Sequence, residues 1–304
     1  MSAAISVIMP TYNGEEFLRE TIESILNQSF KDFLFIIIDD GSTDKTIKII
    51  ESYHDDRIML KKSFHTGKPA ALNLALQSVS TDLVAFIDHD DIASPNRLEL
   101  QSHWLTNHQS IGILGSWYYI CDEKGRIVRG VRFPQDHNEI EKMMTTHCSI
   151  GFTGLMMRTA LFRDFGYFDE SIVTGADDYD LFLRLLPHTK FHNIPEYLMY
   201  RRRHKKSFSY TVREEQNNSV RIMALKYLTV KEKETSALKG EIYFRMGLTE
   251  YYHGSMKTSR EYFHKALRNG YGRLLFNRYY WATFLGDTFF RLYRNYINEK
   301  RYAF

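Results

Sequence analysis

Short apolar runs alternate with helical patterns over the first third of the chain, and this alternation constrains the fold more than any other feature. The runs predict strands at Ile5–Met9, Phe33–Ile38 and Leu83–Ile87, with a weaker candidate at Arg57–Lys61. Apolar spacing along one face predicts helices between them, at Glu15–Gln28, Thr43–Tyr53 and Pro69–Val79. Strands that alternate with helices predict an α/β fold with a Rossmann-like, mainly parallel sheet flanked by helices.

Polar and acidic residues collect where three of these strands end. PTYN begins at Pro10, after the strand Ile5–Met9, and DDGSTD begins at Asp39, after Phe33–Ile38. DHDD begins at Asp88, after Leu83–Ile87. In an open α/β sheet, ligands bind beyond the carboxyl ends of the strands. We therefore expect the functional site at this edge.

The Asp88-His89-Asp90-Asp91 segment has two interpretations. Carboxylates are hard oxygen ligands that suit Mg²⁺ or Mn²⁺, and such an ion typically bridges substrate phosphates. The alternative is an Asp-rich turn that caps a helix predicted at Ile92–Leu100, with Asp91 or Ser94 as the N-cap. A single cluster can also perform both roles.

Three further positions suit a nucleotide. Tyr12, two residues after Pro10, could stack its ring on a base. Asp40 could accept hydrogen bonds from a base or from ribose hydroxyls. Lys68 precedes a predicted helix, where a cation and free N–H groups could meet an anion. The alternatives are an ordinary strand–turn–helix junction at Asp40 and an exposed lysine at position 68.

The middle of the chain contributes a second acidic group. Asp177, Asp178 and Asp180 open a helix predicted at Asp178–Leu186. Aspartates at a helix start are favoured by the helix dipole, but three exceed what a cap requires, so one of them could act as a general base. The other elements predicted here are strands at Ile113–Tyr119 and Ile127–Phe133 and a helix at Asn138–Thr145.

A cationic run follows at 200–207 (YRRRHKKS) and contains His204. It could grip a diphosphate, meet anionic lipid headgroups, or form a solvated surface. The two cysteines, Cys121 and Cys148, exclude a disulfide framework and show no metal-ligand spacing.

The last third of the chain differs in composition from the rest. Residues 201–304 contain 22 Lys/Arg and 9 Asp/Glu, whereas residues 1–200 contain 18 and 28. We expect two domains, an α/β domain at 1–210 and a helical region at 211–304. A helix pair predicted at Glu241–Tyr252 and Met256–Leu267 has Gly247 and Phe263 near tetratricopeptide-type positions.

The basic, aromatic character of this region predicts either contact with an anionic membrane surface or a solvated helical face. No nucleic-acid-binding motif accompanies the charge, so a nucleic-acid partner is not expected. The sequence shows neither a secretory signal nor a long apolar stretch. We expect a cytoplasmic protein that associates peripherally with the inner face of the membrane.

Taken in order, the motifs resemble those of the family 2 inverting glycosyltransferases, which have the GT-A fold. The resemblance covers about residues 4–210 and rests on six segments: ISVIMPTYNG, IIIDDGSTDKT, GKPAALNLAL, AFIDHDDIASPNRL, ADDYDLFLRL and YRRRHKKSFS. It implies a nucleoside-diphosphate sugar donor, with UDP as the expected nucleotide, and a Mn²⁺ or Mg²⁺ cofactor. The acceptor implied is a hydroxyl of a saccharide or lipid-linked saccharide, as in cell-surface polysaccharide synthesis.

The resemblance also implies roles for individual residues. Tyr12 and Asp40 would contact the base, with Pro10 and Lys68 in the same donor site. Asp88 and Asp90 would frame the metal, with Asp90 as its direct ligand, and His204 would help to hold the metal or the diphosphate. Asp178 would be the catalytic base.

Two positions depart from the family pattern. His89 stands where a small residue is usual, and Asp177 stands where Glu usually precedes the catalytic Asp. The second departure leaves the base assignment open between Asp177 and Asp178, with Asp178 preferred. Two other classes stay open: a metal-dependent nucleotidyltransferase, and a non-catalytic sugar-nucleotide-binding module.

Overall fold

A computed structural model describes residues 4–144, 147–205, 207, 213–230, 236–253, 255–272 and 278–283. The chain divides into two units, one made of Met1–Met144 and Cys148–Arg213, the other of Thr145–His147 and Glu214–Phe304. Part of the predicted cationic run and most of the last 27 residues lie outside the described residues.

The first unit is built on one mixed sheet. Its strands are β1 Ile5–Thr11, β2 Phe33–Asp39, β3 Ile58–Lys62, β4 Leu83–Phe86, β5 Ile92–Ala93, β6 Ile111–Cys121, β7 Ile127–Val131, β8 Met156–Arg158 and β9 Lys190–Arg202. Its helices are α1 Leu18–Leu26, α2 Thr46–Glu51, α3 Lys68–Leu76, α4 Arg97–Asn107, α5 His137–Met144, α6 Ala160–Phe165 and α7 Asp177–Leu185.

The strand order is β3-β2-β1-β4-β8-β6-β9-β5, and β7 pairs with β6. The strands β3, β2, β1 and β4 are parallel, as the alternation of strands and helices predicts. Beyond them β8 runs antiparallel to both β4 and β6, and β9 runs parallel to β6. Apolar side chains of β1, β2, β4 and β6 form a core with those of α1 and α4.

Three sequence predictions are corrected by this arrangement. The first strand does not stop at Pro10: it continues to Thr11, whose carbonyl accepts a hydrogen bond from Asp40 N–H at 2.8 Å. The helix predicted at Ile92–Leu100 is wrong, because Ile92–Ala93 pairs with β9 and the helix begins at Arg97, after Pro95. A proline within a helix lacks the N–H and clashes with the preceding turn.

The capping interpretation of the Asp88–Asp91 segment is therefore wrong as well. Asn96 is the N-cap of α4 and makes no side-chain cap bond. Asp91 Oδ1 instead accepts a hydrogen bond from Arg202 N–H at 2.8 Å, which joins the segment to the end of β9. The segment is thus tied to a distant strand and does not serve the helix that follows it.

Arg97 is a fully buried guanidinium beneath this segment. Its Nη2 donates to Phe86 O at 2.9 Å and to Leu155 O at 3.1 Å, and its Nε donates to Gln101 Oε1 at 3.0 Å. Burial lowers the pKa of Arg97 to about 9, partly offset by the charge of Asp91. The guanidinium therefore stays charged at neutral pH and fixes the end of β4, just before Asp88.

We expect Arg97→Leu to lower the free energy of unfolding by about 3–5 kcal/mol, because it removes three buried hydrogen bonds from a charged donor and leaves Gln101 Oε1 without that donor. Urea unfolding followed by circular dichroism measures this effect. Arg158→Leu is the matched control, since Arg158 also donates to carbonyls but is only partly buried. Equal losses in the two variants would contradict the structural role given to Arg97.

The second unit is helical where it is described, with α8 Arg213–Val230, α9 Ser236–His253, α10 Met256–Arg268 and α11 Arg278–Ala282. The predicted helix pair is confirmed as α9 and α10. Gly247 leaves room for Phe263, because a Cβ at Gly247 would come within 2.4 Å of that ring. Ser259 Oγ donates to Gly247 O at 2.7 Å. No helix among the described residues is both long and apolar enough to cross a lipid bilayer.

Candidate active site

The turns after β1 and β2 are joined by reciprocal hydrogen bonds. Asn13 N–H donates to Ser42 Oγ at 2.9 Å, and Thr43 N–H donates to Asn13 Oδ1 at 2.8 Å. Asn13 has φ 49°, a left-handed conformation that asparagine tolerates better than most residues. The PTYN and DDGSTD segments therefore form one wall at the carboxyl edge of the sheet.

Two of the predicted nucleotide-binding residues lie on this wall. Tyr12 is 40% exposed, and its ring stacks on His65 with centroids 4.0 Å apart. Asp40 is buried, and its carboxylate accepts hydrogen bonds from Thr66 N–H at 2.8 Å and Gly67 N–H at 2.9 Å. Asp40 thus holds the loop that leads into α3. Pro10 is buried within β1, two residues before Tyr12.

Lys68, at the start of α3, interacts with both acidic groups of the sequence, the one at Asp88 and the one at Asp177 and Asp178. Its Nζ donates to Asp88 Oδ1 at 2.6 Å and lies 3.8 Å from the centroid of the Phe152 ring. Burial alone would lower the pKa of Lys68, but the negative charges of Asp88, Asp177 and Asp178 outweigh it and raise that pKa. The ammonium is therefore the local counter-charge for three carboxylates that come from two distant segments.

Asp177 and Asp178 are brought to this ammonium by the first turn of α7. Burial, followed by the charge of Asp177, raises the pKa of Asp178 to about 7. Burial also raises the pKa of Asp177, and the charge of Lys68 opposes that rise. Asp177 Oδ2 is buried and makes no hydrogen bond with any described residue. A carboxylate with a pKa near neutral is suited to accept and release a proton.

The third aspartate of this group is used differently. Asp180 Oδ2 accepts a hydrogen bond from Arg184 Nε at 2.9 Å, an ion pair one helical turn apart. Arg184 also donates to the carbonyls of Phe165 and Tyr167. Asp180 therefore secures α7 against the preceding segment, which leaves Asp177 and Asp178 as the candidates for proton transfer.

Asp90 and His204 are brought together over 114 positions of sequence. His204 Nε2 lies 2.9 Å from Asp90 Oδ2, and both side chains are largely buried. Burial would raise the pKa of Asp90, but the hydrogen bond with His204 and the charges of His89 and His204 lower it. Asp90 is thus held as a carboxylate. His204 in turn packs on the Phe17 ring at 4.7 Å.

The departure at His89 is accommodated by a glycine. A Cβ at Gly14 would come within 2.7 Å of the His89 ring, so the imidazole occupies the space that Gly14 leaves. A hydrogen bond from α1 fixes the main chain at His89, because Thr21 Oγ1 donates to His89 O at 2.8 Å. The histidine therefore adds a contact between the PTYN and DHDD segments.

The acidic segment fits a hard divalent cation. Burial and then the charges of Asp90 and Asp88 raise the pKa of Asp91 well above its ordinary value, because three carboxyl groups are crowded into one segment. No three His, Cys, Asp or Glu side chains form a ready-made metal cage within the part of the chain that is described. Mg²⁺ is commonly held by one or two carboxylates together with substrate phosphates, and carboxylates also suit Mn²⁺. Asp88 is bound by the Lys68 ammonium, whereas Asp90 faces a histidine, a side chain that can itself bind a metal. The role of Asp90 as the direct ligand stays a prediction.

The structure therefore brings most of the predicted site residues into one region. Asp40 holds the loop before Lys68, Lys68 binds Asp88, and its pKa responds to Asp177 and Asp178. Asp90 follows two residues after Asp88. Each role in binding or catalysis stays a prediction, because these contacts give positions only.

Several residues around this region were missed or only partly identified from the sequence. Arg201 lay within the predicted cationic run, but the structure places it beside Tyr118, with Nη1 3.4 Å from the phenolic oxygen. Burial would lower the pKa of Arg201, but Tyr118 and then the charges of Asp91 and Asp88 raise it. Phe152 and His65 carry no motif. Phe152 contacts Lys68 and His65 contacts Tyr12. These contacts arise on folding, so the sequence gives no signal for them.

Comparisons with known proteins identify relatives of this chain. The sequence profile described as glycosyl transferase family 2 matches residues 6–165. An uncharacterized glycosyltransferase of Methanocaldococcus jannaschii is 36% identical over 203 residues, which are 64% of this chain and 69% of that protein. One of Rickettsia typhi is 32% identical over 192 residues, 61% of this chain and 59% of that protein. The chain thus spans about two thirds or less of these relatives.

Solved structures share the fold. The structure of S. aureus TarS 1-349 in complex with UDP-GlcNAc has a TM-score of 0.59 at 20% identity and covers 87% of this chain and 88% of that one. The mannosyltransferase PcManGT from Pyrobaculum calidifontis, in complex with GDP-Man and Mn²⁺, has a TM-score of 0.57 at 16% identity and covers 91% and 76%. The sheet and its flanking helices are therefore of the GT-A type.

Proposed function

This chain belongs to glycosyl transferase family 2, and we propose that it is an inverting enzyme that moves a sugar from a UDP-sugar to an acceptor hydroxyl. The acceptor class is a saccharide or a lipid-linked saccharide. The observation that supports this most directly is the convergence of Asp88, Asp177 and Asp178 on the Lys68 ammonium. A cation within a carboxylate cluster, at the end of the loop whose His65 stacks on the exposed Tyr12, suits a donor with a diphosphate and a base.

The donor is bound along the wall at the sheet edge. The Tyr12 ring stacks on the base, and Asp40 positions the loop beside it. Lys68 lies between this loop and Asp88, so its ammonium attracts the diphosphate while keeping Asp88 oriented. Neighbours of the same fold bind UDP-GlcNAc and GDP-Man, which supports a nucleoside-diphosphate sugar here.

Asp90 and Asp88 are the residues that would hold Mg²⁺ or Mn²⁺, with His204 oriented against Asp90. A bound divalent ion would neutralise the negative charge that develops on the leaving diphosphate.

Asp178 is the proton acceptor in this proposal. Its carboxylate removes the proton from the acceptor hydroxyl as that oxygen bonds to the anomeric carbon. The bond from the anomeric carbon to the diphosphate oxygen breaks on the opposite face, and the nucleoside diphosphate leaves with the electron pair. One displacement inverts the configuration. The pKa of Asp178, raised to about 7, makes it a stronger base than an ordinary aspartate.

The deciding experiment incubates the protein with Mn²⁺ and UDP- or GDP-sugars, with and without saccharide acceptors, and identifies the products by mass spectrometry. The expected products are a nucleoside diphosphate and a glycoside of inverted configuration. Release of pyrophosphate from a nucleoside triphosphate would instead identify a nucleotidyltransferase. Donor binding with neither transfer nor hydrolysis would identify a non-catalytic binding module.

The pH dependence of transfer follows from the base. Asp178 is active only when ionised, so kcat/KM is expected to fall as pH decreases below about 7. Lys68 favours the ionised form of Asp178, and Lys68→Gln is therefore expected to move the acid limb to higher pH, in addition to weakening donor binding. The measurement is kcat/KM between pH 5 and pH 9 in both proteins. An unmoved limb would mean that Asp178 is not the titrating base.

For the basic C-terminal region we propose peripheral association with the inner face of the membrane, where lipid-linked acceptors occur. The helix α10 supports this, because Lys257, Lys265 and Arg268 all lie on it and are exposed. We expect co-sedimentation of the full chain with vesicles that contain phosphatidylglycerol and weaker binding to neutral vesicles. Equal binding to both at low salt would exclude the electrostatic attraction.

A further inference from the structure

A short loop beside Tyr12 is fixed at both ends. Ser63 N–H donates to Asp39 O at 2.8 Å, and Thr66 N–H donates to the Asp40 carboxylate at 2.8 Å. The hydroxyls of Ser63 and Thr66 lie 3.0 Å apart and close the turn. The loop backbone is therefore anchored to the carboxyl end of β2 on either side of the two residues at its tip.

His65 at this tip has an unfavourable backbone conformation. Its φ is 54°, a left-handed value that costs a residue with a Cβ free energy. The turn also depends on Gly41, because a Cβ there would lie 2.9 Å from His65 N. Such strain persists only where surrounding structure enforces it, and here it directs the imidazole onto the Tyr12 ring.

The His65 ring faces Tyr12 as a second aromatic wall. The rings are 4.0 Å apart with an interplanar angle of 23°, and the His65 side chain is 60% exposed. Phe64, its neighbour, is 97% exposed. The loop therefore turns its histidine, and not its more apolar phenylalanine, toward the residue that is proposed to stack on the base.

We propose that Tyr12 and His65 are the two walls of a nucleobase slot, and that His65 fixes the affinity for the base by stacking on its outer face. This inference rests on the proposed function. In the free protein the two rings cover each other; when a base enters, His65 moves outward and keeps contact with it. Both faces of the base are then removed from water.

The geometry allows this exchange by rotation of one side chain. Stacked carbon atoms contact at about 3.5–4.0 Å, so a base between the rings requires the centroids to separate to about twice the present 4.0 Å. The polar contacts that rotation would break are long, since His65 Nδ1 lies 3.3 Å from Asp40 O and 3.6 Å from Asp40 Oδ2. The two anchored residues, Ser63 and Thr66, lie on either side of Phe64 and His65, so we expect the opening movement to be confined to these two residues at the tip of the loop.

The test measures binding of UDP and of inorganic pyrophosphate, each with Mn²⁺, by isothermal titration calorimetry. We expect His65→Ala to weaken UDP binding by about 5- to 150-fold, the range for loss of one base–aromatic stack, and to leave pyrophosphate binding unchanged. His65→Phe should restore UDP binding, because it returns a ring to the same position.

His188→Ala is the matched control. His188 stacks on Phe165 at 4.1 Å, an exposed histidine–aromatic pair on other elements, and its loss should not change UDP binding. Tighter UDP binding in His65→Ala would show that the histidine only blocks the Tyr12 face, and unchanged binding would show that it does not contact the base. Either result overturns the slot while the transferase proposal stands. A wild-type protein that binds no nucleoside diphosphate overturns both.

Discussion

Asp178→Asn is expected to reduce the rate of sugar transfer by about 10²–10⁴-fold, the usual contribution of a positioned general base. Asparagine has nearly the shape of aspartate but cannot take up the acceptor proton. Steady-state kinetics with saturating donor measure this loss as a fall in kcat. Asp180→Asn is the control from the same helix, since Asp180 is occupied by Arg184, and it should retain most of the activity.

The same substitution is expected to stabilise the protein above neutral pH. Because the pKa of Asp178 is raised in the folded state to about 7 from 3.8, its contribution to stability is complete below the unfolded pKa. As pH rises through the folded pKa, Asp178 ionises in the folded protein and this part of the free energy of unfolding is lost. An asparagine side chain does not ionise and avoids this loss. We expect Asp178→Asn to raise Tm relative to wild type by several degrees at pH 8 and by less at pH 4.5.

Differential scanning calorimetry at the two pH values measures this difference. An inactive variant that is also more stable would indicate that the half-buried position of Asp178 serves function at the expense of stability. If Asp178→Asn were active, or if its Tm increment were the same at both pH values, the assignment of Asp178 as a base with a raised pKa would be wrong.

Asp90→Ala is expected to lower transfer at least 10²-fold, comparable to the loss of the base. It removes the carboxylate that best suits the cation and also leaves His204 without its partner at 2.9 Å. Binding of Mn²⁺ in the presence of UDP, followed by electron paramagnetic resonance, should weaken in parallel. Asp56→Ala, which removes an exposed aspartate elsewhere in the unit, is the control.

The variant His204→Ala separates the effect of losing the Asp90 carboxylate from the effect of losing its contact with His204. If His204 only orients Asp90, its loss should raise the Mn²⁺ concentration required for half-maximal activity and change kcat less than Asp90→Ala does. A variant Asp90→Ala with normal turnover at every Mn²⁺ concentration would contradict the proposed metal site. Normal Mn²⁺ binding by that variant would do so independently of any assay of activity.

The parallel part of the sheet, and the edge at which its polar segments meet, could be predicted from the sequence. Strands β1, β2 and β4 are short apolar runs with helical patterns between them, and parallel strands bring their carboxyl ends to one edge. Tyr12, Asp40 and Asp88 follow those ends directly, so local order along the chain was sufficient to group them. The acidic start of α7 was recognised by composition.

The sequence did not predict those strands whose apolar and polar residues do not alternate regularly or that are very short. The strand β9 extends over Lys190–Arg202, but its register with β6 shifts at Trp117, which breaks the alternation by which a strand is recognised. Ile92–Ala93 was assigned to a helix because its pairing partner on β9 lies more than a hundred positions away. Such pairing is a property of the whole sheet.

The sequence alone predicts the α/β class, the edge of the sheet at which the polar segments meet and the chemical types of side chain gathered there. Folding determines which members of each group lie close to one another. Asp178 and Asp180 are equivalent in sequence, yet Arg184 pairs with Asp180, and Lys68 lies beside Asp178. The reason is physical: burial and charge at a carboxylate depend on groups brought close by folding, and distance along the chain does not record them.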